Sequence, residues 1–119
     1  MPLRAGPCTV TVEARPDEIV HNIVRLRICG LLRPVDALTF STLAATLELT
    51  KPALSKHLRI LTDAGYTTMS RSSSDERTDR RQITWVRLTR EGRRAFDGHV
   101  AALRQFTEIE ADRPGPATV

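Results

Sequence analysis

Residues 39–66 read T-F-S-T-L-A-A-T-L-E-L-T-K-P-A-L-S-K-H-L-R-I-L-T-D-A-G-Y. Thr39 offers a side-chain oxygen of the kind that caps a helix. Phe40, Leu43, Ala44 and Leu47 follow at i, i+3, i+4 and i+7, one apolar face of a short helix. Glu48 and Leu49 make a tight turn, with Leu49 expected to point inward and pin the two flanking helices. Thr50 caps a second helix, Pro52 fits its first turn, where no backbone donor is needed, and Gly65 ends it. At about 100° per residue, Leu54, Leu58 and Leu61 fall within about 40° of one another and form a core stripe. Pro52, Lys56, Arg59 and Asp63 fall opposite, with Ser55 on the shoulder and Lys51 at the N-terminal end.

Upstream, Asp17 caps a helical region and Glu18 lies in its first turn, where the helix dipole favours an acid. Ile19, Val20, Ile23, Val24, Leu26, Ile28, Leu31 and Leu32 recur at helical spacing, with Arg25 and Arg27 outside. A break is expected near His21-Asn22, and Pro34 ends the region. Residues 1–16 hold three prolines and an alternating run, Cys8, Val10 and Val12, that suits a short strand or an extended arm. Downstream, residues 66–71 and 82–88 are strand-like, with Ile83, Val86 and Leu88 as candidate buried positions and Trp85 on the opposite face. Between them lies a loop without an apolar residue and with Arg77, Arg80 and Arg81 at its tip, so the pair forms an antiparallel hairpin. Thr89 caps a last helix whose Phe96, Val100, Leu103 and Phe106 form an apolar stripe. So small a domain offers that stripe little of its own to cover it. A second copy of the chain, through this helix or the first one, is the expected mate.

Charge gives this scaffold a use. The chain has 18 Lys and Arg against 14 Asp and Glu, a net charge of +4. The excess is local, since residues 51–94 hold eleven bases against five acids. A short capped helix, a tight turn and a second helix with a basic, polar outer face make a helix-turn-helix suited to a DNA major groove. Arginines at the tip of the hairpin suit a phosphate or a narrow minor groove.

Other classes are excluded on their chemistry. The longest apolar stretch falls far short of the roughly 20 residues needed to span a bilayer. The N-terminal residues lack the apolar run of a secretory signal, so a cytoplasmic location is expected. Cys8 and Cys29 stand singly, without metal, redox or disulfide spacing, and no metal or cofactor is expected. His21, His57 and His99 are scattered, no catalytic or phosphate-loop motif is present, and no enzymatic activity is expected. A module that binds only protein is the competing use. It would need neither the basic helix face nor the arginine-tipped loop.

Three separated segments, V-R-L-R-I-C-G-L-L at 24–32, K-P-A-L-S-K-H-L-R-I-L-T-D-A-G-Y at 51–66 and V-R-L-T-R-E-G at 86–92, together resemble the single-domain bacterial winged helix-turn-helix regulators of the MarR/ArsR type. The resemblance runs over about residues 18–105. It implies a homodimeric transcriptional regulator of double-stranded DNA, usually a repressor, and two-fold pairing of its copies suits a palindromic operator. It also implies an α+β, mostly α fold: a three-helix core, a β-hairpin wing and a C-terminal dimerisation helix. Residues 1–16 would be an arm, 17–110 the domain and 111–119 a flexible tail. The likeness aligns Ser55, Lys56, His57 and Arg59 with the recognition helix, and Arg77 and Arg80 with the wing. With the reading of the helix face and hairpin, the expected DNA-contacting set is Thr50, Lys51, Pro52, Ser55, Lys56, His57, Arg59, Arg71, Arg77, Arg80 and Arg81. His57 lies between the core stripe and the outer face, and bracing the helix is as open to it as a phosphate contact. The expected dimer interface is Ile23, Phe96, Val100, Leu103 and Phe106. Metal-sensing members carry paired cysteines where this chain reads L-A-A-T-L-E-L, so that thiolate site is not expected, and a small-molecule effector is left open.

Overall fold

Asn22 divides the first helical region in two in the computed structural model, which describes residues 13–73 and 82–112. Its backbone is extended, which ends α1 (Glu18–His21), and its Oδ1 accepts from the amides of Val24 and Arg25, which starts α2 (Ile23–Leu32). The break therefore falls where expected, by an asparagine cap. Asp17 Oδ1 accepts from Val20 N at 2.9 Å and caps α1.

The chain then forms β1 (Leu38–Thr39), a two-residue strand that local sequence did not signal. Thr39 Oγ1 caps α3 (Phe40–Leu47) by accepting from Thr42 N. Glu48 adopts the left-handed conformation, φ 57°, and the Leu49 amide returns to Ala44 O at 3.0 Å. That places a glycine-like conformation on a glutamate and turns the chain within two residues. Leu49 packs against the core, as expected. Thr50 caps α4 (Lys51–Asp63), Pro52 lies in its first turn, and Gly65, φ 84°, follows its end.

Two longer strands come next, β2 (Thr67–Ser73) and β3 (Gln82–Leu88), paired antiparallel with Met69 opposite Val86. Strand β1 adds to the other edge of β3, giving the order β1-β3-β2. Val86 is buried, while Trp85, on the other face, is half-buried and donates from Nε1 to Ser72 Oγ at 3.1 Å. Helix α5 (Arg90–Asp112) begins where Thr89 Oγ1 accepts from Gly92 N and donates to Gly65 O. It extends two residues past the expected domain end at 110. The fold is α+β and mostly helical, as expected.

Ile28, Cys29 and Leu32 of α2, Leu43 of α3, Leu54, Leu58 and Leu61 of α4, and Val86 of β3 are shut from solvent. Cys29 is the small core residue foreseen for it, and burial, followed by the charge of Asp17, pushes its thiol up to about 12. It stays protonated and unreactive near neutrality. Helix α5 docks through Phe96, which lies against Gly30 and the core, and through Asp97, which takes two bonds from Arg33 at 2.9 and 3.0 Å. Phe96, one of the residues of the expected dimer stripe, thus packs against the core of its own domain.

Residues 13–17 run along α5. Arg15 N donates to Gly98 O, and Asp17 N donates to Nδ1 of His99, a residue 3% exposed. Asp17 Oδ2 accepts from the Tyr66 hydroxyl at 2.5 Å, and His21 meets His99 edge to face. The arm's last residues are thus docked on the domain, and the rest of it, with Cys8, Val10 and Val12, lies outside the described residues. So does the expected tail from residue 113. Among the described residues no helix is long and apolar enough to cross a membrane.

Two glycines are required for different reasons. At Gly92 a Cβ would lie 2.1 Å from the Tyr66 carbonyl oxygen, whereas at Gly65 nothing obstructs a Cβ and only the positive φ matters. Gly92→Ala should therefore cost at least about 1–3 kcal/mol, and Gly65→Ala roughly 1–2 kcal/mol, in urea unfolding. Burial, then the neighbouring His21, hold His99 below the ordinary imidazole value, against a weaker pull from Asp17. Since the unfolded chain then takes up the proton first, stability falls as pH drops through the unfolded-state value of about 6.5. The melting temperature should decline between about pH 7.5 and 5.5, and less steeply in His99→Gln. An equal slope in that variant would contradict the assignment.

Candidate nucleic-acid interface

Three leucines set the rotation of α4. Leu54, Leu58 and Leu61 are each 0% exposed, and a helix with that stripe inside must turn the residues about half a turn away outward. Lys51, Pro52, Ser55, Lys56, Arg59 and Asp63 are all exposed, and so is the cap residue Thr50. The face expected to meet DNA is therefore open in the single chain. Among the described residues, Lys51, Lys56 and Arg59 have no ion-pair partner; the pair found is Arg33 with Asp97. Three cations and a serine hydroxyl on two turns of one helix can meet phosphates as charges and base edges as donors.

His57 sits apart from that set. It is half-buried, and its Nδ1 lies 3.2 Å from Arg25 Nη1 on α2. Arg25 also donates from Nε to Ile19 O at 2.7 Å. Burial first, then the charges of Arg25 and Lys56, lower the His57 value. That contact is of the kind that braces α4 against α2, one of the two roles left open for His57. Its partner was not found from sequence, because 32 residues separate the two and α2 showed only an arginine beside an apolar stripe.

Arg71 is exposed on β2, with Nη1 at 3.5 Å from Gln82 Oε1 across the hairpin. Arg87, outside the expected contact set, is exposed on β3 opposite Thr68. Arg77, Arg80 and Arg81, in the segment joining β2 to β3, lie outside the described residues. Of the expected dimer residues, Ile23 and Phe106 are 64% and 59% exposed, while Val100 and Leu103 are half-buried. Among the described residues no group of three or more His, Cys, Asp and Glu is placed to hold a metal ion.

Comparisons with known proteins agree with this geometry. A family model described as "Winged helix DNA-binding domain" matches residues 24–107. A transcriptional regulator homologue from Pyrococcus horikoshii OT3 is 28% identical, over 79% of this chain and 88% of that one, with a TM-score of 0.70. FabT of Streptococcus pneumoniae, solved in complex with DNA, shares 22% identity over 81% of this chain and 64% of its own, with a TM-score of 0.56. A MarR-family regulator from Rhodococcus sp. RHA1 shares 16% over 84% of this chain and 67% of its own, with a TM-score of 0.60. The last two likenesses concern the fold, and this chain spans only about two thirds of either. Comparison with curated proteins gives no match. From the open basic face of α4 to the hairpin beside it, the molecule has the parts of the matched family, and the chain belongs to the winged helix DNA-binding domains.

Proposed function

We propose that this winged helix DNA-binding protein is a transcriptional repressor that acts as a homodimer on a two-fold symmetric operator. The observation that carries the reading is the division of α4: three leucines wholly buried, and Lys51, Pro52, Ser55, Lys56 and Arg59 exposed on the other side. In this reading α4 of each copy enters a major groove. Ser55, Lys56 and Arg59 meet base edges and phosphates there, while Thr50 and Lys51 meet the backbone at the helix start. Arg71, with Arg77, Arg80 and Arg81 of the joining segment, holds the flanking backbone. A related fold solved with DNA, that of FabT, supports the assignment.

Two copies are favoured by the apolar surface one copy leaves uncovered, Ile23 at the start of α2 and Phe106 far along α5, with Val100 and Leu103 half-buried on α5. A two-fold pairing through these helices would set the two α4 helices about 34 Å apart, one turn of duplex. Occupying a promoter in that way would exclude polymerase.

Selection of bound sequences from random duplexes, with the mass of the complex measured alongside, tests the proposal. A two-fold symmetric consensus held by two chains is expected; no preference among duplexes would leave a protein-binding module as the better reading. On the selected duplex, Lys56→Ala or Arg59→Ala should weaken binding by about 1–3 kcal/mol for a lost base contact. Each lost phosphate contact should reduce the slope of log K against log salt by about one. Unchanged affinity and slope in both variants would remove this face of α4 from the interface.

A further inference from the structure

The pairing of α2 with α4 has a consequence for how α4 reads its target. A guanidinium only donates hydrogen bonds, so the 3.2 Å contact between Arg25 Nη1 and His57 Nδ1 requires Nδ1 to be the ring's acceptor. The proton of the neutral ring is then on Nε2. The two nitrogens stand on opposite edges of an imidazole, so the Nε2–H edge is turned away from Arg25. Among the described residues Nε2 has no hydrogen-bond partner, and the residue is half-buried. Arg25 is itself fixed, because its Nε is committed to Ile19 O at 2.7 Å. Asn22, three residues earlier, caps the helix by taking the Arg25 amide at 3.2 Å. Both ends of the arginine are thereby tied before the ring is met.

We propose that Arg25 is a positioning residue that holds His57 as a neutral Nε2–H donor, aimed from α4 at an acceptor atom of bound duplex DNA. The inference rests on the reading of α4 as the DNA-contacting helix. Its content beyond that reading is a fixed tautomer imposed from α2, so that a residue without DNA contact sets the hydrogen-bonding sense of one that has it. A ring free to exchange tautomers would present a donor for part of the time and an acceptor for the rest. A ring locked as a donor selects oxygen and N7 acceptors and disfavours exocyclic amino groups. The lowered His57 value, from burial and then from Arg25 and Lys56, agrees with a neutral ring. Because the donor is uncharged, its contact releases no counterion and leaves the salt slope unaffected, unlike those of Lys56 and Arg59.

Histidine 15N–1H correlation spectra of the free protein provide the first arm of the test. His57 should show a protonated Nε2 and an unprotonated Nδ1, and Arg25→Gln should convert that pattern to a tautomer mixture. The second arm is binding of the selected consensus duplex by a variant set whose folding is checked by melting. Arg25→Gln and His57→Ala should each weaken binding about 3- to 10-fold, the range of one neutral hydrogen bond, with no change in salt slope. The double variant should be no weaker than His57→Ala alone. His57→Gln, whose amide nitrogen replaces Nε2–H and has no tautomer to set, should retain binding and make it insensitive to Arg25→Gln. If Arg25→Gln weakens binding further in the His57→Ala background, or leaves the histidine pattern unaltered, Arg25 acts otherwise and the proposal falls. If the wild type binds no duplex, the assignment of α4 to DNA fails; if it binds and His57→Ala binds as well, the tautomer proposal alone fails.

Discussion

Burial of Leu54, Leu58 and Leu61 is the constraint on which the rest of this molecule depends. A helix has one rotational degree of freedom about its axis, and three wholly buried leucines on one stripe remove it. With the rotation fixed, Ser55, Lys56 and Arg59 have no alternative to the outer surface. The axial position is fixed as well, by Thr50 at one end and Gly65 at the other. The hydrophobic core is thus the device that aims the polar face. Exposing any of the three leucines would cost about 1.5–3 kcal/mol each, which is enough to hold the alternative rotations empty.

A second junction, Asp17, holds the opposite side of the domain together. Its carboxylate caps α1 through Oδ1 and accepts the Tyr66 hydroxyl at Oδ2, and its amide donates to the buried His99. One residue therefore links α1, the end of the α4 segment and α5. Arg15 on Gly98 and Arg33 on Asp97 add two further ties along the same stretch of α5. Helix α5 is secured to the DNA-facing domain through its first three turns and runs on beyond them to Asp112. In the proposed dimer that length of α5 would join the domain to a partner copy.

Legibility from sequence followed the range of each interaction. The caps Asp17, Thr39, Thr50 and Thr89, the break at Asn22 and the glycine after α4 were readable because each is decided within about four residues of chain. The core stripe of α4 was readable because periodicity reports burial directly. Strand β1 was not, since two residues carry no period and its existence depends on Val86 and Trp85, nearly fifty residues away. The Arg25–His57 contact was hidden for the same reason. Phe96 shows a different limit. Periodicity placed it correctly on one stripe with Phe106, but ten residues of helix separate them by about 15 Å. A stripe that long passes from the chain's own core to open surface, and no property of the spacing marks where that happens.

In the proposed complex, two kinds of contact on one helix would divide the work of recognition. Lys51, Lys56 and Arg59 are charges on an exposed surface that would be attracted to any duplex through its phosphates. Such attraction brings the protein to DNA and holds it there, but carries little information about sequence. Information requires a group whose hydrogen-bonding sense and direction are settled before contact, since a group that must be ordered on binding gives back part of its gain as lost entropy. Ser55 has a rotatable hydroxyl that can donate or accept. His57 differs, because its ring is half-buried and its inner nitrogen is engaged by an arginine that is anchored in turn. In the proposed complex His57 would therefore add a contact of fixed hydrogen-bonding sense at the flank of the face on which Ser55, Lys56 and Arg59 meet base edges and phosphates.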